Sequence, residues 1–136
     1  MYGDLDTSEV ASGGHSRGSI GTFDVADDPR LETTVHVAGG SSDGNGPDSL
    51  RNPALHIDDE DFATADMERD HTRTDVPVWF DILDGTDHVL ATRKGRHVIT
   101  ARLRWRLADE EFRRTRDFLS PDCAFCGPGD VQYKNW

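Results

Sequence analysis

The chain has 136 residues, enough for one domain of ordinary size, and carries 26 acidic against 15 basic side chains, a net charge of −11. It contains no run of 18 apolar residues and no N-terminal basic and apolar regions, which argues against a membrane-spanning helix and a cleaved secretory signal. A surface this acidic repels phosphate, which disfavours nucleic acid as a partner.

The acidic and basic residues are unusual in type as well as in number. The acids are 20 Asp and 6 Glu, and the bases are 13 Arg and 2 Lys. Residues 1–75 carry 17 acidic and five basic side chains, whereas residues 76–136 carry nine and ten. Many short carboxylates with few lysines are typical of a salt-adapted protein. A GC-rich genome remains the alternative explanation, although it accounts better for the arginines than for the aspartates.

The N-terminal half predicts little regular structure. Residues 1–18 are polar and rich in Gly and Ser, which predicts an extended acidic arm. Residues 19–25 and 32–38 are rich in Thr, Val and Phe and are expected to be strands. Residues 39–49 have the composition of a loop, and a short acidic helix is expected near 58–69.

The C-terminal half predicts an antiparallel sheet. Apolar residues alternate over 76–83 and again over 96–107, with 88–93 as a shorter strand between them. The Asp-Gly pair at 84–85 is a strong hairpin signal. These features predict a three-stranded antiparallel meander over 76–107, with one face buried.

The remaining residues predict one helix and an irregular tail. Acidic residues open the segment 109–119 and arginines follow, which suits the dipole of a helix. The tail, 120–136, is rich in turn residues. The predicted fold class is therefore α+β, mainly β, with a single small domain over 19–136 that follows the N-terminal arm.

Cys123 and Cys126 are the only cysteines and stand in a C-x-x-C-G turn. This turn resembles one half of a zinc-ribbon knuckle, in which two thiolates three residues apart hold the metal. A structural zinc site needs two more ligands, and the histidine candidates are His71, His88 and His97. A symmetric dimer with four cysteines is a further arrangement for zinc. A reduced or packed pair, or a local disulfide, is favoured over a metal site, so no cofactor is expected and zinc is the one candidate.

Arg102, Arg104 and Arg106 alternate along the last predicted strand, so they are expected to form a row of guanidinium groups on one face. Such a row suits an outer face in solvent, an interaction with carboxylates or an interaction with nucleic acid, and the overall charge favours carboxylates over nucleic acid. The carboxylates could belong to the acidic half of the same chain or of another copy.

We recognise no family and no catalytic motif in the sequence, so the protein is predicted not to be an enzyme. The function expected is that of a structural subunit in a large assembly: a virion component, either capsid-decorating or head–tail joining, from a halophilic system. Its partners would be other protein subunits, with a homo-oligomer expected, and its location the virion or the cytoplasm. The alternative is a small zinc-binding adaptor or regulatory protein that uses Cys123 and Cys126.

Overall fold

The computed structural model of the protein describes residues 6–61, 64–127 and 131–136. Over these residues, strands and helices alternate around a mixed sheet. The strands, in chain order, are β1 (Val10–His15), β2 (Leu31–Val37), β3 (Ala54–Asp58), β4 (Val78–Ile82) and β5 (Gln132–Lys134). The helices are α1 (Arg17–Asp24), α2 (Thr64–Arg73) and α3 (Ala91–Leu107), with a 3-10 turn at Gly46–Ser49 and a short π-helix at Arg114–Leu119.

The sheet has the strand order β1-β2-β3-β4-β5, so each strand lies beside its neighbour in the sequence. The first four strands are parallel, and β5 runs antiparallel to β4. Helix α1 connects β1 to β2 and α2 connects β3 to β4, as parallel strands require. The carboxyl ends of the four parallel strands therefore meet along one edge, where binding sites of such sheets are built.

Helix α3 covers the apolar face of the sheet. Its buried residues Val98, Ala101 and Trp105 pack on side chains that alternate along the strands. The strand residues in this core are Val35, Val37, Leu55, Ile57 and Trp79. Phe118 of the π-helix completes it by stacking on Trp105, with ring centroids 5.4 Å apart.

Helices α1 and α2 cover the opposite face. Phe23 of α1 stacks on His36 of β2 at 3.8 Å, and His71 of α2 stacks on Phe80 of β4 at 5.1 Å. His56 of β3 lies beside His36, with ring centroids 5.0 Å apart. This face is thus buried but rich in histidine.

The predicted meander over 76–107 is wrong, and so is the mainly β fold class. The first predicted strand, 76–83, corresponds to β4, but 84–90 is a loop and Ala91–Leu107 is a helix. The buried residues of α3 are three and four positions apart, which is a helical period. Over 96–107 the apolar residues fit both periods, and the Asp-Gly pair favoured the wrong one.

The N-terminal predictions also need correction. Residues 10–15, expected in an extended arm, form the edge strand β1, while residues 1–5 lie outside the described part of the chain. Residues 19–25, expected to be a strand, fall mostly within α1, where Ser19, Thr22 and Phe23 share a buried face. The Gly and Ser residues that suggested an arm instead form a strand with few large side chains.

Candidate active site

Ser16 lies in a sharp turn between β1 and α1. Its φ of 56° and ψ of −119° fall where residues other than glycine are uncommon. The Ser16 N–H donates to the carbonyl of Val37 at 2.9 Å, and its own carbonyl accepts the N–H of Ser19 at 3.0 Å. These bonds join the turn to β2 and to α1, so the strain is held by the surrounding structure, as is common at functional sites.

Two glycines allow this turn to pack tightly. A Cβ atom on Gly14 would collide with the backbone of Gly18, the second residue of α1. A Cβ atom on Gly39 would lie 2.5 Å from the carbonyl oxygen of Ser16. The sequence over 14–18 is GHSRG, a G-x-S-x-G motif, whose mechanical role is to expose a serine hydroxyl between a strand and a helix.

His88 contacts the Ser16 hydroxyl. The two atoms, Nε2 of His88 and Oγ of Ser16, are 2.9 Å apart across 72 positions of sequence. Nδ1 of the same ring lies 3.1 Å from Oδ2 of Asp59. Because a carboxylate oxygen accepts hydrogen bonds, the Nδ1 proton points to Asp59 and Nε2 is left to accept the proton of Ser16.

Asp59 follows directly after β3 and is fully buried. Its Oδ1 accepts the backbone N–H of Asp61 at 2.8 Å, while its Oδ2 faces His88. The carboxylate is therefore fixed from both sides and orients the imidazole ring. Ser16, His88 and Asp59 thus form a hydrogen-bonded chain of nucleophile, base and orienting acid.

The loop that carries His88 is anchored on both sides. The carboxylate of Glu60 accepts the N–H of Gly85 at 2.8 Å, and the Glu60 N–H donates to the carbonyl of Thr86 at 3.2 Å. Lys94 of α3 donates to the carbonyl of Gly85 at 2.5 Å. These contacts hold the loop against the residue that follows Asp59 and against α3.

A second buried carboxyl group lies beside the triad. Asp58 is fully buried, and its Oδ1 accepts the N–H of Asp59 at 2.9 Å. Burial raises the pKa of Asp58 to about 7, and the nearby charge of Asp59 adds to the shift. Asp58 is therefore partly protonated at neutral pH.

An open apolar groove runs along β1 and ends next to the turn at Ser16, which we call the elbow. It has a volume of about 420 Å³, extends from Ala11 to His15, and is walled by side chains of β2 and α3. It is lined by Val35, Val37, Ile99, Leu103 and Leu107, among others.

The structure separates the three histidines suggested as zinc ligands. His71 is buried against Phe80, His88 belongs to the triad, and His97 is exposed on α3. Cys123 and Cys126 are joined in a disulfide, in which neither sulfur is a thiolate. Among the described residues, no group of three or more His, Cys, Asp or Glu side chains is placed to hold a metal ion.

The predicted row of arginines is on a helix, so its members point in different directions. Arg102 is fully buried, with its guanidinium 4.9 Å from the rings of Trp105 and Trp136. Burial lowers the pKa of Arg102 to about 9. Arg104 forms an exposed ion pair with Glu110, and Arg106 approaches Glu32 at 3.4 Å.

The expectation of no catalytic motif, G-x-S-x-G included, is wrong, because GHSRG at 14–18 is such a motif within the predicted N-terminal arm. GHSRG lies where β1 ends and α1 begins, which is the structural context that this motif requires. Neither a search of protein-family models nor a search of curated proteins finds a match for this chain. No helix in the described ranges is long and apolar enough to cross a membrane, as the sequence predicted.

Proposed function

We propose that this chain carries the catalytic centre of a serine hydrolase that acts on esters or related acyl compounds. The observation that carries the proposal is Ser16, held at a strained strand-to-helix turn, with its hydroxyl 2.9 Å from a histidine that is itself oriented by a buried aspartate. This combination meets the geometric roles required of a nucleophile, a general base and its orienting group.

The topology supports the same reaction class. The triad members occur along the chain in the order Ser16, Asp59, His88, each after a parallel strand. A serine elbow followed by an acid and then a histidine is the arrangement of α/β-hydrolases, whereas other serine hydrolases use different chain orders. The likeness lies in the elbow, the strand pattern and the chain order.

In the first step, Oγ of Ser16 attacks the acyl carbon while Nε2 of His88 takes its proton. A bond forms between Oγ and the acyl carbon, and the bond to the leaving alcohol breaks. His88 then gives the proton to the departing oxygen. Asp59 accepts the Nδ1–H hydrogen bond throughout and stabilises the imidazolium.

In the second step, water attacks the acyl-enzyme. Nε2 of His88 takes one proton from the water, the new bond forms between the water oxygen and the acyl carbon, and the bond to Oγ breaks. The proton returns to Ser16, and the free acid leaves.

The negative oxygen formed in each step needs N–H donors. The backbone N–H of Arg17 follows the nucleophile and opens α1, where the first N–H groups have no partner within the helix. Hydrolases with this elbow use that N–H together with a second one from a different loop. We assign the first donor to Arg17 and, among the described residues, no residue to the second.

The predictions of a virion subunit and of a zinc adaptor stay predictions. The first rests on composition and charge, and the second on the pair of cysteines. We favour the hydrolase because its support is a specific three-residue geometry rather than composition.

A fluorophosphonate probe tests the proposal without knowledge of the substrate. Oγ of an activated serine attacks the phosphorus, fluoride leaves, and the adduct is located by mass spectrometry of peptides. We expect the folded chain to be labelled at Ser16. Ser16→Ala should abolish labelling, and Asp59→Asn should slow it by about 10⁴-fold because the imidazole loses its orientation and tautomer.

Ser12→Ala is the matched control, because Ser12 lies on β1, four residues before the nucleophile. This variant should be labelled like the parent chain. The proposal fails if the folded parent chain takes up no probe, or if the Ser16→Ala variant takes up as much as the Ser12→Ala variant.

A further inference from the structure

His15, the residue before the proposed nucleophile, contacts the proposed base. Its Nε2 lies 2.7 Å from the backbone carbonyl oxygen of His88. Because a carbonyl oxygen only accepts, Nε2 of His15 carries the proton and donates it. The two imidazole rings are also in contact, tilted by 41° relative to each other, with centroids 4.7 Å apart.

This contact has a particular value because the loop around His88 is exposed. Val89, the next residue, is 79% exposed, so little packing holds the tip of the loop. Glu60 and Lys94 bind the loop at Gly85 and Thr86, two or more residues before His88. The bond from His15 acts on the backbone of His88 itself.

The neighbouring residues His15 and Ser16 therefore both contact His88, one at its backbone and the other at its ring. The His15 side chain binds the backbone oxygen of His88, and the Ser16 hydroxyl meets the ring Nε2 at 2.9 Å. Since β1 fixes His15 and the elbow fixes Ser16, the distance between nucleophile and base is set by adjacent residues of a single strand and turn.

We propose that His15 is a positioning residue that holds His88 in line with Ser16 and Asp59 through its Nε2–H hydrogen bond. This inference rests on the proposed hydrolase function for its catalytic consequence. In this scheme the His15 side chain acts through its hydrogen bond to His88, so its effect is on the rate of attack by Ser16.

Two amide variants separate the hydrogen bond from mere bulk. In His15→Gln, the side-chain amide lies about where Nε2 lies in histidine, so the bond to His88 can be kept. In His15→Asn, the amide matches Nδ1 and stops short of the His88 carbonyl. His15→Phe keeps a ring against His88 but has no donor. His97→Gln is the remote control, because His97 is exposed on α3.

The measurements are the rate of fluorophosphonate labelling at Ser16, its separation into maximal rate and half-saturating probe concentration, and the low-field NMR signal of the His88 Nδ1 proton. We expect His15→Asn and His15→Phe to lower the maximal rate by about ten-fold or more, since small misplacements of reacting groups are costly. His15→Gln should stay within a few-fold of the parent chain, and the half-saturating concentration should not change.

The outcomes decide between the two proposals. If the parent chain is labelled and both His15→Phe and His15→Asn are labelled as fast as the parent chain, His15 does not position His88. The same conclusion follows if His15→Gln is as slow as His15→Asn. If the parent chain is not labelled, the hydrolase proposal fails, and the NMR signal of the His88 Nδ1 proton alone tests the role of His15. Loss of this signal in the Asn and Phe variants, with retention in the Gln variant, supports positioning by His15. Retention of the signal in all three variants overturns it.

Discussion

The two faces of the central sheet are both buried, yet their chemistry differs. The face under α3 is apolar, with Val35, Val37, Leu55, Ile57 and Trp79 pointing into it. On the face under α1 and α2, the same strands place other residues, each one position away. These include Thr34, His36, His56, Asp58 and Phe80. Alternation of polar and apolar residues therefore does not mark a solvent-exposed face in this protein.

Burial keeps the histidine-rich face close to neutral. It lowers the pKa of His36 to about 3 and of His71 to about 4, and that of His56 well below its ordinary value. It raises the pKa of Asp58 to about 7. All four shifts favour the uncharged form, so in the acid and neutral range stability should depend on pH through this face more than through the buried apolar side chains under α3.

The largest effect should come from Asp58→Asn. The folded-state pKa of about 7 exceeds the ordinary 3.8, so the folded state binds the proton more tightly. Stability contributed by the protonated group is therefore lost as pH rises from about 4 to 7. The uncharged Asn escapes this loss, which amounts to at most about 4 kcal/mol.

Urea unfolding of the parent chain and of Asp58→Asn at a series of pH values measures the difference directly. The free energy of unfolding of the variant should rise relative to that of the parent chain between pH 4 and 7. Asp27→Asn, at an exposed position, serves as the control. A difference that stays constant over this range would show that Asp58 is not driven neutral by burial.

His71→Phe should act with the opposite sign. The folded-state pKa of His71, about 4, lies below the ordinary 6.5, so the unfolded chain binds the proton first. Stability is complete above pH 6.5 and is lost as pH falls toward 4, by at most about 3 kcal/mol. Phe can keep the stacking on Phe80 without titrating.

The variant should therefore unfold less readily in acid than the parent chain, with little difference above pH 7. His97→Gln, at an exposed position, should follow the parent throughout. Parallel loss of stability in the parent and in His71→Phe would assign the acid sensitivity to other groups, such as the buried His36 and His56 of the same face.

Part of this fold was predictable from local sequence. The predicted strands at 32–38 and 76–83 lie where the structure has β2 and β4, because both are rich in β-branched and aromatic residues. Helix α3 was not predicted, since its arginines alternate with apolar residues as in a strand. The buried Arg102, which lies beside the stacked pair Trp105 and Trp136, is what breaks the simple pattern.

The candidate site divides in the same way. GHSRG is a local signal, and the sequence contains all of it. Asp59 and His88 carry no such signal, because no local spacing relates them to Ser16. They are 29 positions apart, and His88 is 72 positions from Ser16, so only the parallel order of β1, β3 and β4 brings them together.

Arg102 tests the α3 face. Its hydrogen bonds to Thr33 and to the carbonyl of Ala54 are long, 3.3 and 3.5 Å, and Nη1 has no partner within the described residues. Arg102→Ala should cost about 2–3 kcal/mol, because the cost of the cavity left beside the two tryptophans is partly offset by removal of a buried charge. Arg102→Met fills the space without charge and should be close to neutral.

Thermal unfolding of both variants, with the exposed Arg104→Met as control, separates packing from charge. If Arg102→Met is as damaging as Arg102→Ala, the guanidinium interactions with Thr33 and the tryptophan rings contribute more than its burial costs. The α3 face would then depend on a polar group as much as the opposite face does.

The smallest effect should come from the disulfide, which lies beside the α3 face. It closes a ring of only four residues, so its loss should cost below about 2 kcal/mol in the chain-entropy relation. Other contacts also fix this turn: the N–H of Ala124 donates to the carbonyl of Arg116 at 2.8 Å, and Phe125 packs on Phe118 at 5.6 Å.

The double substitution Cys123→Ser and Cys126→Ser should therefore keep the tail in place. Trp136, bound to the carbonyl of Val78 at 3.2 Å and stacked on Trp105, should keep its fluorescence. The parent chain in reductant should match the double variant in urea unfolding. A larger loss of stability, or a shift of the tryptophan emission toward that of the unfolded chain, would mean that the C-terminal residues need the covalent link to stay packed on the apolar face.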